Sequence, residues 1–148
     1  MRFDLETVAT PEQVRRALTD FSERRGQIWS RTLDANAYEL RELGDTWAVA
    51  RESTSGSPFW VVARYDWSDP DVVRWTVVES SYGGGGEGLV RADPSVRGGS
   101  RVHVEWTSTG ARGWQKPIVF LLHHGPAGRL FARMWASTFD RYARTDPA

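Results

Sequence analysis

The chain has 148 residues, with 19 basic and 19 acidic side chains and a formal net charge of zero. Its hydrophobic fraction of 40% and its eight tryptophans exclude an intrinsically disordered chain. The absence of cysteine excludes disulfides, thiol nucleophiles and cysteine metal sites. No basic stripe is visible, so we expect no nucleic-acid partner. The length predicts a single domain over residues 1–148.

Neither the N-terminal residues nor the longest apolar run predicts a secretion signal or a membrane span. The opening MRFDLETVAT is charged and lacks an apolar stretch, so we expect no secretion signal. The apolar run 117–122 has six residues, far short of the ~20 that span a bilayer. We therefore expect a cytoplasmic protein without a membrane span.

The N-terminal part predicts a strand followed by two short helices. Phe3, Leu5 and Thr7 alternate with acidic residues, as in a strand with one buried face. The tetrapeptide TPEQ at residues 10–13 then forms a capping-box signature with proline at the first helical position. It predicts a helix over 11–19, and a second short helix follows over 20–30.

From residue 38 the pattern has period two and predicts six further strands. They cover residues 38–43, 46–54, 58–67, 72–80, 87–92 and 101–109. Short connections rich in Gly, Asp and Ser separate them, including the glycine run 83–86, which predicts a flexible hairpin. Such an antiparallel meander with helices at its ends is typical of an α+β fold.

The C-terminal part predicts the longest helix, over residues 127–144. Phe131, Met134, Trp135, Phe139 and Tyr142 recur at helical spacing and form one aromatic face. A shorter helical stripe over 114–122 precedes it, and Gly125-Pro126 predicts a break between the two. So wide an aromatic face must cover something apolar, and the predicted sheet is the only large surface upstream.

The order of these segments resembles the START/Bet v 1-like (SRPBCC) superfamily, in particular its bacterial polyketide cyclase/dehydrase and lipid-transport branch. The likeness rests on TPEQVRRALTDF, WSDPDVVRWTVVE, RGGSRVHVEW and GRLFARMWASTFDRYAR. It implies a helix-grip fold, in which a curved seven-stranded antiparallel sheet wraps the C-terminal helix. It also implies a cavity for an apolar or aromatic ligand. Lipid carriers, plant ligand binders and aromatase/cyclases belong to this superfamily.

Strand alternation suggests which side chains face that cavity. The predicted ligand-binding residues are Trp47, Arg51, Tyr65, Trp75, Glu79, Trp106, Met134 and Trp135. Arg51, Tyr65 and Glu79 would be polar groups among apolar ones, as in many small-molecule sites. The alternative is that Arg51 and Glu79 pair with each other or lie in water at the strand ends, because charged groups are rarely buried unpaired. A one-residue slip would invert any of these assignments.

Other candidate chemistry is less specific. The resemblance to aromatase/cyclases implies a cavity arginine that polarises a polyketide carbonyl, but Arg51, Arg64 and Arg74 match no such motif. His103, His123 and His124 lack metal-ligand spacing, so we expect neither a metal nor a cofactor.

Three functions are compatible with these observations. The first is binding of a hydrophobic or aromatic small molecule. The second is a polyketide aromatase/cyclase or dehydratase that acts by general acid–base chemistry through Arg51, Tyr65 or Glu79. The third is a protein-interaction module with an exposed aromatic patch such as Trp60. A monomer and a homodimer both agree with the sequence.

Overall fold

The computed structural model describes residues 1–53, 59–110 and 127–145, and its main feature is one antiparallel sheet. The strands are β1 Arg2–Thr7, β2 Glu39–Leu43, β3 Trp47–Ser53, β4 Trp60–Asp66, β5 Val73–Ser80, β6 Gly85–Pro94 and β7 Ser100–Thr109. The helices are α1 Pro11–Thr19, α2 Arg25–Ile28 and α3 Ala127–Thr145, with a 3-10 turn at Ala35–Ala37. The predicted α+β class, seven strands and helix order are confirmed.

The sheet has the order β1-β7-β6-β5-β4-β3-β2, so the first strand joins the last one along the chain. Phe3, Leu5, Val102 and Val104 are buried on the face that α3 covers, and their neighbours in sequence point away from it. This alternation matches the sequence prediction for both strands, because period-two patterning places every second side chain on one face.

Helix α1 begins where the capping box predicted. The Thr10 side chain accepts a hydrogen bond from the backbone N–H of Gln13, and the Gln13 side chain accepts one from the backbone N–H of Thr10. Both bonds satisfy donors that the first turn leaves free. Val14, Ala17 and Leu18 are buried on its inner face.

Helix α2 is shorter than the predicted helix over 20–30. The Asp20 carboxylate accepts hydrogen bonds from the backbone N–H and the hydroxyl of Ser22. Such local bonds offer the backbone an alternative to the helix, so only Arg25–Ile28 is helical. The predicted stripe over 114–122 and the break at Gly125-Pro126 lie outside the described residues.

Helix α3 packs across the sheet through its aromatic face. Phe139 is fully buried and contacts Trp29 at a centroid distance of 5.5 Å. The Asp140 carboxylate accepts hydrogen bonds from the Thr7 hydroxyl (2.5 Å) and the Val8 backbone N–H (3.0 Å). The Asp140 contacts fix the C-terminal half of the helix beside β1, and Phe131 and Trp135 in its N-terminal half contact Trp106 of β7.

A charged cluster joins the first and last strands of the chain on the outer face of the sheet. His103 Nδ1 lies 2.8 Å from Asp4 Oδ1, and His103 Nε2 lies 3.3 Å from Glu105 Oε1. The hydrogen bond to Asp4 is the main reason that the pKa of His103 is raised, and Glu105 adds to it.

This cluster predicts a pH-dependent stability. Because the pKa of His103 is higher in the folded than in the unfolded chain, its stabilisation is complete below about pH 6.5 and disappears as pH rises through the folded pKa. The melting temperature of the wild type should exceed that of His103→Gln by more at about pH 6 than at about pH 8.5. Thermal unfolding of both chains measures this, and an equal difference at the two pH values would contradict it.

Candidate ligand-binding site

A cavity of about 240 Å³ lies between the sheet and α3. Strands β3, β4, β5 and β7 supply one wall and the N-terminal half of α3 supplies the other. The described lining residues are Leu18, Arg25, Trp29, Thr32, Leu33, Glu52, Phe59, Trp60, Val61, Tyr65, Val73, Trp75, Val77, Tyr82, Trp106, Thr107, Ser108, Phe131 and Trp135.

Four aromatic side chains form a continuous wall of the cavity. Their centroids are 6.2 Å apart for Tyr65 and Trp75, 6.4 Å for Trp75 and Trp106, and 6.3 Å for Trp106 and Trp135. These are ordinary distances for aromatic pairs. The wall therefore runs from β4 through β5 and β7 onto α3 without interruption.

A glycine makes room for the Trp75 indole. Gly88 on β6 pairs with Trp75 on one side and with Trp106 on the other. A Cβ atom at Gly88 would lie 2.1 Å from the Trp75 ring, closer than any real contact. The Trp75 ring can therefore lie over β6 only because position 88 has no side chain.

The cavity has a deep end near α1 and α2. Leu18, Trp29 and Thr32 are buried there, whereas Phe59 and Phe131 at the other end are half-buried. The Trp29 indole N–H donates to the Ala17 carbonyl at 3.0 Å, which fixes the ring between α1 and α3.

A buried ion pair lies at this deep end. Arg25 Nε is 2.7 Å from Glu52 Oε2, and both residues are only 4% exposed. Arg25 Nη1 also donates to the carbonyls of Leu18 (3.1 Å) and Asp20 (3.3 Å), at the C-terminal end of α1. A cation is favoured at that end of a helix. The pair thereby joins α1, α2 and β3.

Tyr65 completes this cluster. Its hydroxyl donates to Glu52 Oε1, and Arg25 Nη2 lies 3.5 Å from the same oxygen. The Arg25 guanidinium stacks on the Phe21 ring at 4.0 Å and approaches the Tyr65 ring at 5.2 Å. Aromatic faces attract a desolvated cation, so the rings add to the stabilisation that Glu52 provides.

The protonation states in the cluster follow from burial and charge. Burial raises the pKa of the Tyr65 hydroxyl and the Glu52 carboxylate raises it further, so Tyr65 is protonated at neutral pH. Burial alone would lower the pKa of Arg25, but Glu52 and Tyr65 raise it by more. Burial also raises the pKa of Tyr38, whose hydroxyl donates to the Phe21 carbonyl, to about 12.

The structure brings together four of the eight predicted ligand-binding residues. Tyr65, Trp75, Trp106 and Trp135 line the cavity, and their role in binding stays a prediction. Met134 is half-buried on α3 but is not part of the lining.

The predicted inward orientation of Trp47 and Arg51 is wrong. Ala48, Ala50 and Glu52 are the buried residues of β3, so Trp47 and Arg51 lie on the outer face. The reason is space: Ala48 and Ala50 are small enough for the Phe21 ring to pack against them. On the outer face, Arg51 lies 4.4 Å from the Trp60 ring centroid, so this ring has a cationic partner within the chain.

The predicted inward orientation of Glu79 is also wrong. A β-bulge shifts the register between β4 and β5, so that Val62 pairs with Glu79 while Ala63 pairs with Val77. A bulge inserts one residue and reverses the facing of the residues beyond it. Glu79 is therefore exposed on the outer face, 3.8 Å from Arg41.

Sequence reasoning missed Arg25 and Glu52. Glu52 follows Ala48 and Ala50 at a spacing of two residues and so shares their face of β3, which is a usable signal once small residues are accepted as core. Arg25 has no such signal, because its burial depends on a partner 27 residues away.

A larger depression of about 580 Å³ lies on the outer face of the sheet. Its outward-facing lining includes Arg2, Arg74, Glu87 and Glu105, and Arg2 pairs with Glu105 at 2.8 Å. These side chains are hydrated and charged, so the smaller aromatic cavity is the better candidate for a small-molecule site.

Residues 1–53, 59–110 and 127–145 contain neither a candidate metal centre nor a membrane-spanning helix. No group of three or more potential metal ligands occurs in this part of the chain. None of its helices is long and apolar enough to cross a membrane.

Comparison with known proteins identifies the fold. No family model and no curated protein matches the sequence. Among solved structures, TTHA0849 from Thermus thermophilus matches with a TM-score of 0.77 and 14% identity over 100% of this chain and 99% of that one. A START superfamily protein from Mycobacterium smegmatis matches with 0.73 and 13% over 97% and 96%. The Zhui aromatase/cyclase from Streptomyces sp. R1128 matches with 0.71 and 14% over 100% and 97%.

The buried cluster predicts a strong coupling between its two charges. Arg25→Met or Glu52→Leu should each lower the free energy of unfolding by about 3–5 kcal/mol, because each leaves an unpaired charge in an apolar site. The double variant should lose much less than the sum. Urea unfolding of the four chains measures the coupling energy.

The exposed pair Arg64–Asp66 is the matched control for this cycle. Its atoms are 3.3 Å apart, but the side chains are 46% and 39% exposed. Its coupling should be about 0–1 kcal/mol. A coupling for Arg25 and Glu52 no larger than this control would contradict the prediction.

Proposed function

Because the chain has the helix-grip fold of the START/Bet v 1-like superfamily, we propose that it binds a hydrophobic or aromatic small molecule between the sheet and α3. The observation that supports this most directly is the aromatic wall of Tyr65, Trp75, Trp106 and Trp135. These rings face a cavity instead of a packed core, and an apolar cavity with a few polar groups is the usual form of a small-molecule site.

The volume of the cavity limits the size of the ligand. Its volume of about 240 Å³ is below the ~300–1,000 Å³ that is usual for drug-sized ligands. A compound with one to three rings fits this volume, whereas a long-chain lipid would require the cavity to enlarge. Two of the structural neighbours are a START superfamily protein and an aromatase/cyclase, and both descriptions are compatible with an aromatic or apolar ligand.

A general acid–base enzyme is the second candidate, and the contact between Tyr65 and Glu52 favours it. A protonated tyrosine hydroxyl beside a carboxylate in an apolar cavity provides a proton donor and an acceptor within one hydrogen bond. Arg51 and Glu79 have no part in this version, since both lie on the outer face. The enzyme would therefore depend on Tyr65 and Glu52.

The binding proposal predicts that substitutions at two adjacent valines of β5 differ in their effect on ligand affinity. Val77 lines the cavity, whereas Val78 is 60% exposed on the other face. Val77→Phe should reduce the affinity for N-phenyl-1-naphthylamine at least tenfold, because the larger ring occupies ligand space. Val78→Phe should leave the affinity unchanged.

The measurement is saturable quenching of tryptophan emission by this neutral probe, which absorbs where tryptophan emits. Equal affinities for both variants would place the probe elsewhere. If neither N-phenyl-1-naphthylamine nor smaller neutral aromatics bind the wild type, the proposed function is wrong.

The enzyme candidate predicts catalysed proton exchange at the carbon next to a ketone. Wild-type protein should accelerate the loss of the C2 protons of 1-tetralone in D₂O, followed by proton NMR, and Tyr65→Phe should abolish the acceleration. Since Tyr65→Phe retains the ion pair and the cavity, it should still bind the ketone. Exchange at the uncatalysed rate with the wild type would reject this candidate.

A further inference from the structure

We infer that the buried Arg25–Glu52 pair makes the cavity selective for an uncharged aromatic ligand that donates one hydrogen bond to Glu52. This inference rests on the proposed binding function and adds the chemical class of the ligand.

The charges in the described lining of the cavity balance each other. Among the described lining residues, Arg25 and Glu52 are the two charged ones, and they neutralise each other at 2.7 Å. Within this described part of the lining, an anionic or cationic ligand would have to separate the pair to obtain a counter-ion, or remain buried without one. Both are costly in an apolar cavity, so an uncharged ligand is favoured.

The hydrogen-bond donors at the deep end of the cavity have acceptors within the chain. Arg25 donates to Glu52 and to the carbonyls of Leu18 and Asp20, and the Tyr65 hydroxyl donates to Glu52. The Trp29 indole and the Thr32 hydroxyl donate to backbone carbonyls. These groups at the deep end are already engaged, so a ligand that only accepts hydrogen bonds gains little there.

The Glu52 carboxylate can accept a further hydrogen bond. An ionised carboxylate has about four lone-pair directions. Glu52 receives three contacts, from Arg25 Nε, Arg25 Nη2 and the Tyr65 hydroxyl. One direction is left for a ligand O–H or N–H, and a hydrogen bond to a carboxylate is stronger than one between neutral groups.

Three naphthalenes of similar size test the inference on the wild-type protein. We expect 2-naphthol, which is uncharged at about pH 7 and has a donor, to bind about tenfold tighter than 2-methoxynaphthalene, which has no donor. The anion 2-naphthoate should bind at least tenfold more weakly than 2-naphthol. Isothermal titration calorimetry measures all three.

Substitutions at the cluster locate the selectivity. Glu52→Gln retains the shape but leaves the guanidinium without its carboxylate, so 2-naphthoate should become the tightest ligand of the three. Tyr65→Phe retains the ion pair and frees one more acceptor direction of Glu52, so 2-naphthol should stay the tightest ligand, as in the wild-type order. Arg64→Gln on the outer face is the control and should also keep it.

The outcomes separate this inference from the proposed function. If none of the naphthalenes binds the wild type, the inference is wrong, and the titration with N-phenyl-1-naphthylamine decides whether the proposed function is wrong as well. If the wild type binds all three equally, or 2-naphthoate best, the binding function stands and the inference is overturned. Loss of the preference for 2-naphthol in Tyr65→Phe would also overturn it, because Tyr65 would then be the acceptor. If Glu52→Gln does not fold, the wild-type order and Tyr65→Phe decide.

Discussion

The ion pair between Arg25 and Glu52 is the interaction on which the deep end of the cavity depends. Removing two charges from water is expensive, and the structure compensates with a 2.7 Å contact, two helix carbonyls and a stacked Phe21 ring. These bonds hold α1, α2 and β3 in one arrangement. They also fix the position of the Tyr65 hydroxyl, which donates to Glu52. Glu52 cannot move away, because the Arg25 guanidinium would then be buried without its counter-ion.

The aromatic wall has a different role from the ion pair. Its rings meet at tilted angles across β4, β5 and β7 and in a stacked pair between β7 and α3, so they connect the sheet to the helix through rigid planar groups. Gly88 permits this by leaving space under the Trp75 indole. The cavity is thus bounded by a rigid apolar wall and by a polar end with no net charge. Binding chemistry in such a space depends on shape and on the few hydrogen-bonding groups at that end.

Much of the architecture is predictable because it depends on local rules. The capping box sets the start of α1 at Pro11, period-two alternation predicts the buried residues of β1 and β7, and helical spacing predicts α3 to within one residue of its observed end. The site is less predictable. If the bulky residues of β3 are taken as its buried ones, Trp47 and Arg51 are predicted to point inward. In the structure Ala48 and Ala50 are buried instead, because Phe21 packs against them. Simple alternation fails at Glu79 because a bulge shifts the register between β4 and β5.

The amino-acid sequence by itself determined the α+β class, the number and order of the strands, and the aromatic face of the last helix. These depend on short-range periodicity and capping, which neighbouring residues decide among themselves. Only the tertiary structure decided which side of β3 faces the cavity and that Arg25 meets Glu52 and Tyr65. That choice depends on how rings from distant segments fill the space over the sheet and on where a buried charge finds its partner, and neither is encoded in any single stretch of the chain.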